Sequence, residues 1–561
     1  MSSVKTFDFG IGANKEQESR TGRYKQFAAL VIDDFDSFRL TVSRMLSQFG
    51  IRDVDAAAKA THAMRSCQER SYDIILCDYN LGGGQNGQQL LEELRQRKML
   101  KSSCLFIMVS AESSKSVVLA AYDYRPDAYL TKPLTQQTLN QRLSKLLAER
   151  LELAPAYKAM DMGHWQKAIE LCMRLVEKKP RYKNNCLKLL ADIYFRLEDY
   201  QGAKKVCESV QQTHPVEWAK LGLCRAKIKL GEVSDVVPHL NEVIASNPLC
   251  MEAYDLKVEA LSQLKKHIDM QITLQNAVEV SPLAIVRQRT LGEVAMDNND
   301  TLVASNAFHK TVRLSENSYF DSPENHINFG RCAAAMFAID ETRAREMSKE
   351  AIKSLETLAN KFGHEPERDM QGALASCQLH YKSGNRTKAE ELLKNVEIQM
   401  DELAFEPSID TYLDMVNAYN GTEKVDQANR LLNRLVEENQ HNEGALKQLD
   451  RMLDEPVSAE ARKELKETNR RGIQLFDDGE YDLAINCFTD ARRMFPKNVA
   501  VALNLSQCML AAMEEFGYRQ DYMDNVVMIL ESLAWVPSNH KQINRLKQLK
   551  QKAHELSRRK I

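Results

Sequence analysis

Three carboxylates in the first part of the chain have the residue type and position needed for a metal site. Asp33 and Asp34 directly follow the apolar run Ala28–Ile32, and Asp78 directly follows the run Ile74–Cys77. If these side chains meet, their charges repel one another, and a bound divalent cation is the usual way to keep all three ionised. A site made only of oxygen ligands favours Mg²⁺.

A hydroxyl group and an ammonium group follow two further apolar runs. Ser110 comes directly after Leu105–Val109, and Lys132 comes shortly after Ala128–Leu130. A cation and a lysine together can neutralise a phosphoryl group that is carried on a carboxylate. We therefore predict that Asp78 is a nucleophile that accepts phosphorus.

The apolar runs alternate with amphipathic segments, which predicts the elements that position these side chains. A fifth β-like run is Val54–Ala57. The helical segments are Ser37–Phe49, Ala60–Gln68, Gln88–Arg97, Ser114–Tyr122 and Gln136–Leu147. Five β-like runs that alternate with five helices predict an α/β fold with a doubly wound, five-stranded parallel sheet. Ligands of such sheets bind beyond the carboxyl ends of the strands, where the acidic, hydroxyl and lysine residues fall.

Residues 25–148 resemble the receiver domain of two-component response regulators, which has a flavodoxin-like fold. The resemblance rests on the acidic pair Asp33-Asp34, on Asp78, on Ser110-Ala111 and on Lys132-Pro133. Many receivers carry Met-Pro or Leu-Pro after the acceptor, whereas this chain has a glycine run, residues 82–84. That departure predicts a longer and more mobile loop, but it removes none of the charged residues.

The resemblance implies a role for each of these residues. Asp78 is implied to be the phosphoacceptor, and Lys132 is implied to contact the phosphoryl oxygens. Ser110 is implied to close on the phosphate, and Tyr129 matches the aromatic position that rotates inward on activation. The implied Mg²⁺ ligands are oxygen atoms at the strand ends, from Asp33, Asp34, Asp78 and the backbone carbonyl of Asn80.

A second pattern, with a period near 34 residues, begins after Leu147. In its clearest copy the turn residue Gly163 is followed by Ala168, Cys172 and Pro180. The prolines that end the early copies are 35, 33 and 34 residues apart, at Pro180, Pro215, Pro248 and Pro282. This period and signature resemble the tetratricopeptide repeat (TPR), in which helix pairs stack into a solenoid. The concave groove of such a solenoid binds peptides or helices of other proteins.

The two patterns divide the chain into four predicted segments. We expect a flexible tail at residues 1–24, a receiver at 25–148, an all-α array of about nine TPR units at 149–541, and a basic capping helix at 542–561. The repeat period breaks at residues 319–324 and 453–462, as expected either of bends between sub-arrays or of long turns.

Composition narrows the class of protein. The 76 Lys and Arg nearly balance the 78 Asp and Glu, which argues against a nucleic-acid partner. No stretch approaches the roughly 20 apolar residues of a membrane span, and the N-terminal segment lacks an apolar leader. The 12 cysteines form no CxxC pair, which predicts reduced core thiols. A cytoplasmic protein of bacterial type is expected.

The expected function is that of a response regulator in a two-component phosphorelay. A sensor histidine kinase or a phosphotransfer protein phosphorylates Asp78, and phosphorylation modulates binding of an unidentified protein or peptide by the TPR region. The helix that begins at Gln136 is expected to run past Leu153 into the first repeat and to transmit the change. No enzyme activity is expected beyond the receiver's own phosphotransfer and autodephosphorylation, since no hydrolase or nucleotide-binding motif occurs.

Two other functions are compatible with the same sequence. In the first, the TPR region is a constitutive scaffold, and the receiver only docks a kinase or removes phosphoryl groups from a relay. In the second, the protein is a phosphatase whose repeats hold a phosphoprotein substrate.

Overall fold

A computed structural model of the chain describes residues 24–112, 114, 119, 123–213 and 215–558. The predicted tail, apart from its last residue, and most of the predicted helix Ser114–Tyr122 lie outside these residues. The chain divides into two compact units. The first runs from Met1 to Leu291 and includes Lys310–Asp321, and the second comprises Gly292–His309 and Ser322–Ile561.

The first unit begins with a five-stranded parallel sheet, as predicted. Its strands are β1 (Ala28–Ile32), β2 (Asp53–Ala57), β3 (Ile74–Asp78), β4 (Leu105–Ser110) and β5 (Ala128–Thr131). They are arranged in the order β2-β1-β3-β4-β5, and all neighbouring pairs are parallel. The helices connecting and following them are α1 (Asp36–Phe49), α2 (Ala60–Glu69), α3 (Gly87–Gln96) and α4 (Gln136–Asp161).

The three central strands are buried on both faces of the sheet, which explains why they read as continuous apolar runs. Every residue of β1, β3 and β4 is buried. Their side chains separate into two hydrophobic clusters, one containing Val31 and Leu76 and the other containing Leu30 and Ile75. The alternation follows from the period of two in a strand, which points successive side chains to opposite faces.

Helix α4 continues without interruption from the sheet domain into the helical region. It spans 26 residues, and Thr135 caps its N-terminus by accepting a hydrogen bond from the amide of Thr138. Its first half packs Leu139 and Leu143 onto the sheet. Its second half packs Leu153 onto the first helical repeat. The predicted continuity is confirmed, and the helix crosses the predicted boundary between residues 148 and 149.

The rest of the described chain is almost entirely helical. Its helices are α5 (Trp165–Lys178), α6 (Lys183–Arg196), α7 (Tyr200–Thr213), α8 (Glu217–Lys229), α9 (Val236–Ser246), α10 (Met251–Gln263), α11 (His267–Val280), α12 (Ile285–Asp297), α13 (Thr301–Ser315), α14 (Pro323–Ala335), α15 (Glu341–Glu356), α16 (Leu358–Phe362), α17 (Pro366–Lys382), α18 (Arg386–Glu402), α19 (Ile409–Gly421), α20 (Val425–Glu438), α21 (Glu443–Leu449), α22 (Ala459–Asp477), α23 (Tyr481–Met494), α24 (Val499–Phe516), α25 (Gln520–Glu531) and α26 (Ile543–Arg558). Short 3-10 helices lie at Pro180–Tyr182, Met336–Ala338 and Asp450–Met452. Within the described ranges, no helix is both long and apolar enough to cross a membrane.

The repeat pattern marks a left-handed backbone residue between the two helices of a pair. The turn residue Gly163 has a positive φ angle. So do the residues at the equivalent position of other copies, whether or not they are glycine: Glu198, Gly231, Lys265, Asn299, Gly384, Glu423 and Gly479. A left-handed residue just after a helix lets its amide satisfy the last free carbonyls and reverses the chain. The recurring turn is therefore a repeated helix end, which produces antiparallel helix pairs in a TPR-like solenoid.

Small residues allow the helices of these pairs to approach closely. Ala168 and Ala484 of the repeat pattern are fully buried. On the facing helix α22, a β-carbon added to Gly472 would lie 2.5 Å from the ring of Phe488. The glycine therefore provides the space that the phenylalanine ring fills.

The cysteines pack as small apolar side chains. All twelve are free; eleven are buried, and Cys487 is half-buried. Burial raises the pKa of the Cys172 thiol to about 12, and it raises the pKa of Cys377 to about 11. These two thiols are therefore protonated and weakly nucleophilic at neutral pH.

We predict that Gly472→Ala lowers the free energy of unfolding by about 1–3 kcal/mol, because the new methyl group overlaps the Phe488 ring in a close-packed core. The midpoint of chemical denaturation measures the effect. Gly444→Ala is the matched control, since Gly444 is exposed near the start of a helix and its β-carbon would meet only an ordinary contact at 3.4 Å. Equal stability of the two variants would contradict the packing described for Gly472.

Candidate functional site

The strand order brings the predicted acidic residues together. Strands β1 and β3 are neighbours and Ile32 is paired with Cys77, so Asp33, just after β1, and Asp78, the last residue of β3, lie side by side. Ligand atoms of Asp33, Asp34 and Asp78 all lie within 4.8 Å of one another. Asp33 and Asp78 are buried, whereas Asp34 is exposed and marks the side on which the pocket opens to solvent.

Lys132 joins the two buried carboxylates. Its Nζ donates hydrogen bonds of 2.7 Å to Asp33 Oδ2 and 2.7 Å to Asp78 Oδ2. The same ammonium lies 4.2 Å from the centroid of the Phe38 ring, which adds a cation–π contact. Burial by itself lowers the pKa of Lys132, but the hydrogen bonds and charges of Asp33 and Asp78 outweigh it and raise the pKa. The lysine therefore remains a cation.

Burial has the opposite effect on the central carboxyl group. Desolvation raises the pKa of Asp78, and the nearby charge of Asp33 adds to the rise, while Lys132 opposes both. An ionised and therefore nucleophilic Asp78 depends on cations close to it.

The start of α1 fixes the orientation of Asp33. The amide of Phe35 donates a 2.9 Å hydrogen bond to Asp33 Oδ1. The guanidinium of Arg39 donates a 2.6 Å hydrogen bond to the backbone carbonyl of Asp33. With Lys132 on Oδ2, each carboxylate oxygen of Asp33 has a donor, so this carboxylate is held in one position.

Ser110 and Tyr129 meet at the backbone of Glu112. Ser110 ends β4 and is buried, and its hydroxyl accepts a 3.0 Å hydrogen bond from the amide of Glu112. The hydroxyl of Tyr129 donates a 2.8 Å hydrogen bond to the carbonyl of the same residue. Sequence reasoning placed Ser110 and Tyr129 at this edge of the sheet but did not identify the backbone of Glu112 as their common partner, because a backbone group has no residue-type signal.

The loop after Asp78 carries Asn80 and the glycine run. The side-chain oxygen of Asn80 accepts a 3.2 Å hydrogen bond from the amide of Gly82. Gly82 has a φ of 78°. It lies next to the exposed Asp34, since a β-carbon added to Gly82 would be 3.6 Å from Asp34 Oδ2. The loop therefore borders the carboxylate pocket, and the role of the Asn80 carbonyl as a metal ligand stays a prediction.

Two parts of the chain match known families. Residues 29–144 match the family model of the response regulator receiver domain, and residues 469–512 match that of the tetratricopeptide repeat. Residues 29–144 form a response regulator receiver domain. Receivers and tetratricopeptide repeats are generally non-enzymatic modules.

Individual relatives of the receiver are chemotaxis proteins. The receiver is similar to chemotaxis protein CheY-3 of Vibrio cholerae, with 29% identity over 127 residues that cover 23% of this chain and 95% of the relative. It is also similar to chemotaxis protein CheY of Pseudomonas aeruginosa, with 27% identity over 117 residues that cover 21% of this chain and 93% of the relative. Among solved structures, chemotaxis protein CheY4 of Vibrio cholerae matches with 25% identity and a TM-score of 0.20, covering 21% of this chain and 98% of that protein.

Receiver domains bind Mg²⁺ at an acidic pocket, and the donor set of this receiver fits that ion. Three carboxylates offer only oxygen atoms, which suit a hard divalent cation. The exposed position of Asp34 leaves an open side, and Mg²⁺ usually keeps several of its waters. Among the residues that the structure describes, this is the one group of three or more His, Cys, Asp and Glu side chains close enough to share a metal.

We predict that Asp33→Asn weakens the binding of Mg²⁺ by at least about tenfold, because loss of a ligand charge should cost at least as much as loss of an outer-shell partner. Isothermal titration of the full-length protein with MgCl₂ measures the affinity. Asp36→Asn is the control, since Asp36 is an exposed carboxylate of the same segment that pairs with Arg39. Equal affinities of the two variants would place the metal elsewhere.

Proposed function

We propose that the protein is a phosphorelay response regulator in which phosphorylation of Asp78 modulates protein binding by the TPR region. The observation that carries the proposal is the cluster of Asp33, Asp34 and Asp78 with Lys132 bonded to two of them. The proposed phosphodonor is a sensor histidine kinase or a phosphotransfer protein, which agrees with the receiver family of residues 29–144.

The proposed reaction is transfer of a phosphoryl group between two side chains. A carboxylate oxygen of Asp78 attacks the phosphorus of a phosphohistidine, a P–O bond forms, and the P–N bond breaks as the imidazole leaves. Hydrolysis of the resulting aspartyl phosphate by water returns the carboxylate and releases inorganic phosphate. Both steps are part of the receiver's own chemistry.

Residues around Asp78 have separate tasks in this proposal. Lys132 already contacts Asp78 Oδ2 and is placed to neutralise charge on a phosphoryl oxygen. Ser110 contributes a hydroxyl that can turn from Glu112 towards the phosphoryl group, and Tyr129 follows through their shared backbone partner. Bound Mg²⁺, held by Asp33, Asp34, Asp78 and the carbonyl of Asn80, supplies positive charge to the phosphoryl oxygens.

The helical repeats supply the proposed output. Stacked helix pairs form concave surfaces that bind peptides or helices, and residues 469–512 belong to the TPR family. Helix α4 joins the receiver directly to the first repeat and can carry a displacement of one to the other. The proposed ligand is a protein or peptide of unidentified sequence.

We predict that the wild-type protein takes up label from radioactive acetyl phosphate in the presence of Mg²⁺, and that Asp78→Asn takes up none, because the amide is not a nucleophile for phosphorus. Asp55→Asn is the control, since Asp55 lies in the middle of β2 and its carboxylate accepts a 2.6 Å hydrogen bond from the hydroxyl of Tyr72. Label on Asp78→Asn equal to that on the wild type would assign the acceptor to another residue.

A second prediction separates the switch from a constitutive scaffold. We expect proteins captured from extracts of the native cell to differ between the phosphorylated wild type and Asp78→Asn, because the aspartyl phosphate changes the receiver to which the first repeat is joined. Quantitative mass spectrometry of the captured proteins measures the difference. Identical sets and amounts would favour the scaffold, and phosphatase activity of the full-length protein on those partners would favour the enzyme.

A further inference from the structure

Helix α3 begins against the backbone of the acceptor residue and is bonded to the residue that follows it. The amide of Gly87, the first residue of the helix, donates a 2.8 Å hydrogen bond to the carbonyl of Tyr79. A β-carbon at Gly87 would lie 2.0 Å from the carbonyl oxygen of Asp78, so only glycine fits there. The beginning of α3 is therefore in close contact with the backbone at Asp78.

The same helix carries a buried carboxylate that binds the helical region. Glu92 is 1% exposed, and its Oε1 accepts hydrogen bonds of 2.7 Å from the hydroxyl of Ser318 and 3.2 Å from the amide of Phe320. One turn earlier, Gln89 donates a 3.0 Å hydrogen bond to the carbonyl of Glu316. The residues that accept this contact, 316–320, overlap the segment where the repeat period breaks.

The segment between β4 and β5 makes a second contact between the receiver and the repeats. Asp123 Oδ1 accepts a 2.7 Å hydrogen bond from Nη1 of Arg287, and Asp123 Oδ2 accepts a 3.1 Å bond from the hydroxyl of Ser281. The rest of the Arg287 guanidinium forms a bidentate pair with Asp255, with distances of 2.7 and 2.8 Å. Next to Asp123, the ring of Tyr124 lies 6.4 Å from the ring of Phe320.

We name these two contacts the clamp, and define it by Glu92 and Asp123 on the receiver and by Ser281, Arg287, Ser318 and Phe320 on the repeats. All six residues belong to the first compact unit. Burial raises the pKa of Glu92 and of Asp123, in each case against the effect of their hydrogen-bond donors. Buried acids of this kind tolerate displacement poorly, because a carboxylate that moves away from its donors is left desolvated and unpaired.

We propose that phosphorylation of Asp78 loosens the clamp and thereby frees the receiver from the repeats of the first unit. The inference rests on the proposed function, since it takes Asp78 as the acceptor. In this inference, a phosphoryl group on Asp78 shifts the adjacent backbone and with it the beginning of α3. The hydrogen bonds of Glu92 to Ser318 and Phe320 depend on the position of that helix. Phosphorylation and clamping therefore oppose one another, and the coupling is reciprocal.

Hydrogen exchange of the full-length protein tests whether the clamp loosens, because the amide of Phe320 donates one of the hydrogen bonds of the clamp. Beryllofluoride with Mg²⁺ serves as the probe, as a non-covalent stand-in for the phosphoryl group. We expect it to slow exchange in residues 78–87 around the acceptor and to speed exchange of the Phe320 amide by at least about tenfold, the effect of losing one hydrogen bond to a charged group.

Variants test the reverse direction. Asp123→Asn is expected to raise exchange at Phe320 without beryllofluoride and to increase the affinity for beryllofluoride several-fold. Asp53→Asn is the matched control, since its carboxylate lies at the exposed edge of the sheet and pairs with Arg70. Unchanged exchange in β3 verifies that each variant is folded.

The outcomes separate the two proposals. If beryllofluoride protects residues 78–87 but leaves Phe320 unchanged, the clamp inference is wrong while Asp78 keeps its role as acceptor. If beryllofluoride has no effect on residues 78–87 either, the proposed function fails and the clamp inference fails with it.

Discussion

The receiver depends on a balance between two buried carboxylates and one ammonium group. Asp33 and Asp78 lie side by side in a buried pocket, where like charges repel strongly, and burial raises the pKa of Asp78. Lys132 offsets this with a hydrogen bond to each of them, and the Phe38 ring lies against the same ammonium. The sheet order is therefore constrained, because β1, β3 and the residue after β5 must all reach one point.

Most of the receiver could be predicted from the sequence for a physical reason. Strands in the middle of a parallel sheet that is covered on both faces are apolar throughout, so β1, β3 and β4 each appear as a short apolar run whose end is marked by the first polar residue. Asp33, Asp78 and Ser110 could be located in this way to within one residue. The repeat turns could also be predicted, since a left-handed helix end recurs at a fixed spacing and glycine, as at Gly163 and Gly479, adopts that conformation without strain.

The clamp could not be predicted, because its signals are not local. Ser318 is 226 residues from Glu92, and Arg287 is 164 residues from Asp123. In the sequence, Glu92 is one acidic residue on an amphipathic helix, where the usual interpretation is a solvated face. Its burial follows from the way the receiver and the repeats pack within the first unit, and no periodicity within α3 encodes that packing.

The uninterrupted helix α4 has a consequence for dividing the chain into fragments. A stacked array of helix pairs has apolar surface at each end that needs a cover. At its beginning the cover is the second half of α4, through Leu153, Ala156 and Met160. A cut after residue 148 would remove the first half of the helix together with its Thr135 cap, and would leave the second half as a short helix with an uncapped, frayed end. The last helix of the receiver is thus also the cap of the first repeat. Fragments meant to isolate the repeats should therefore begin no later than Thr135.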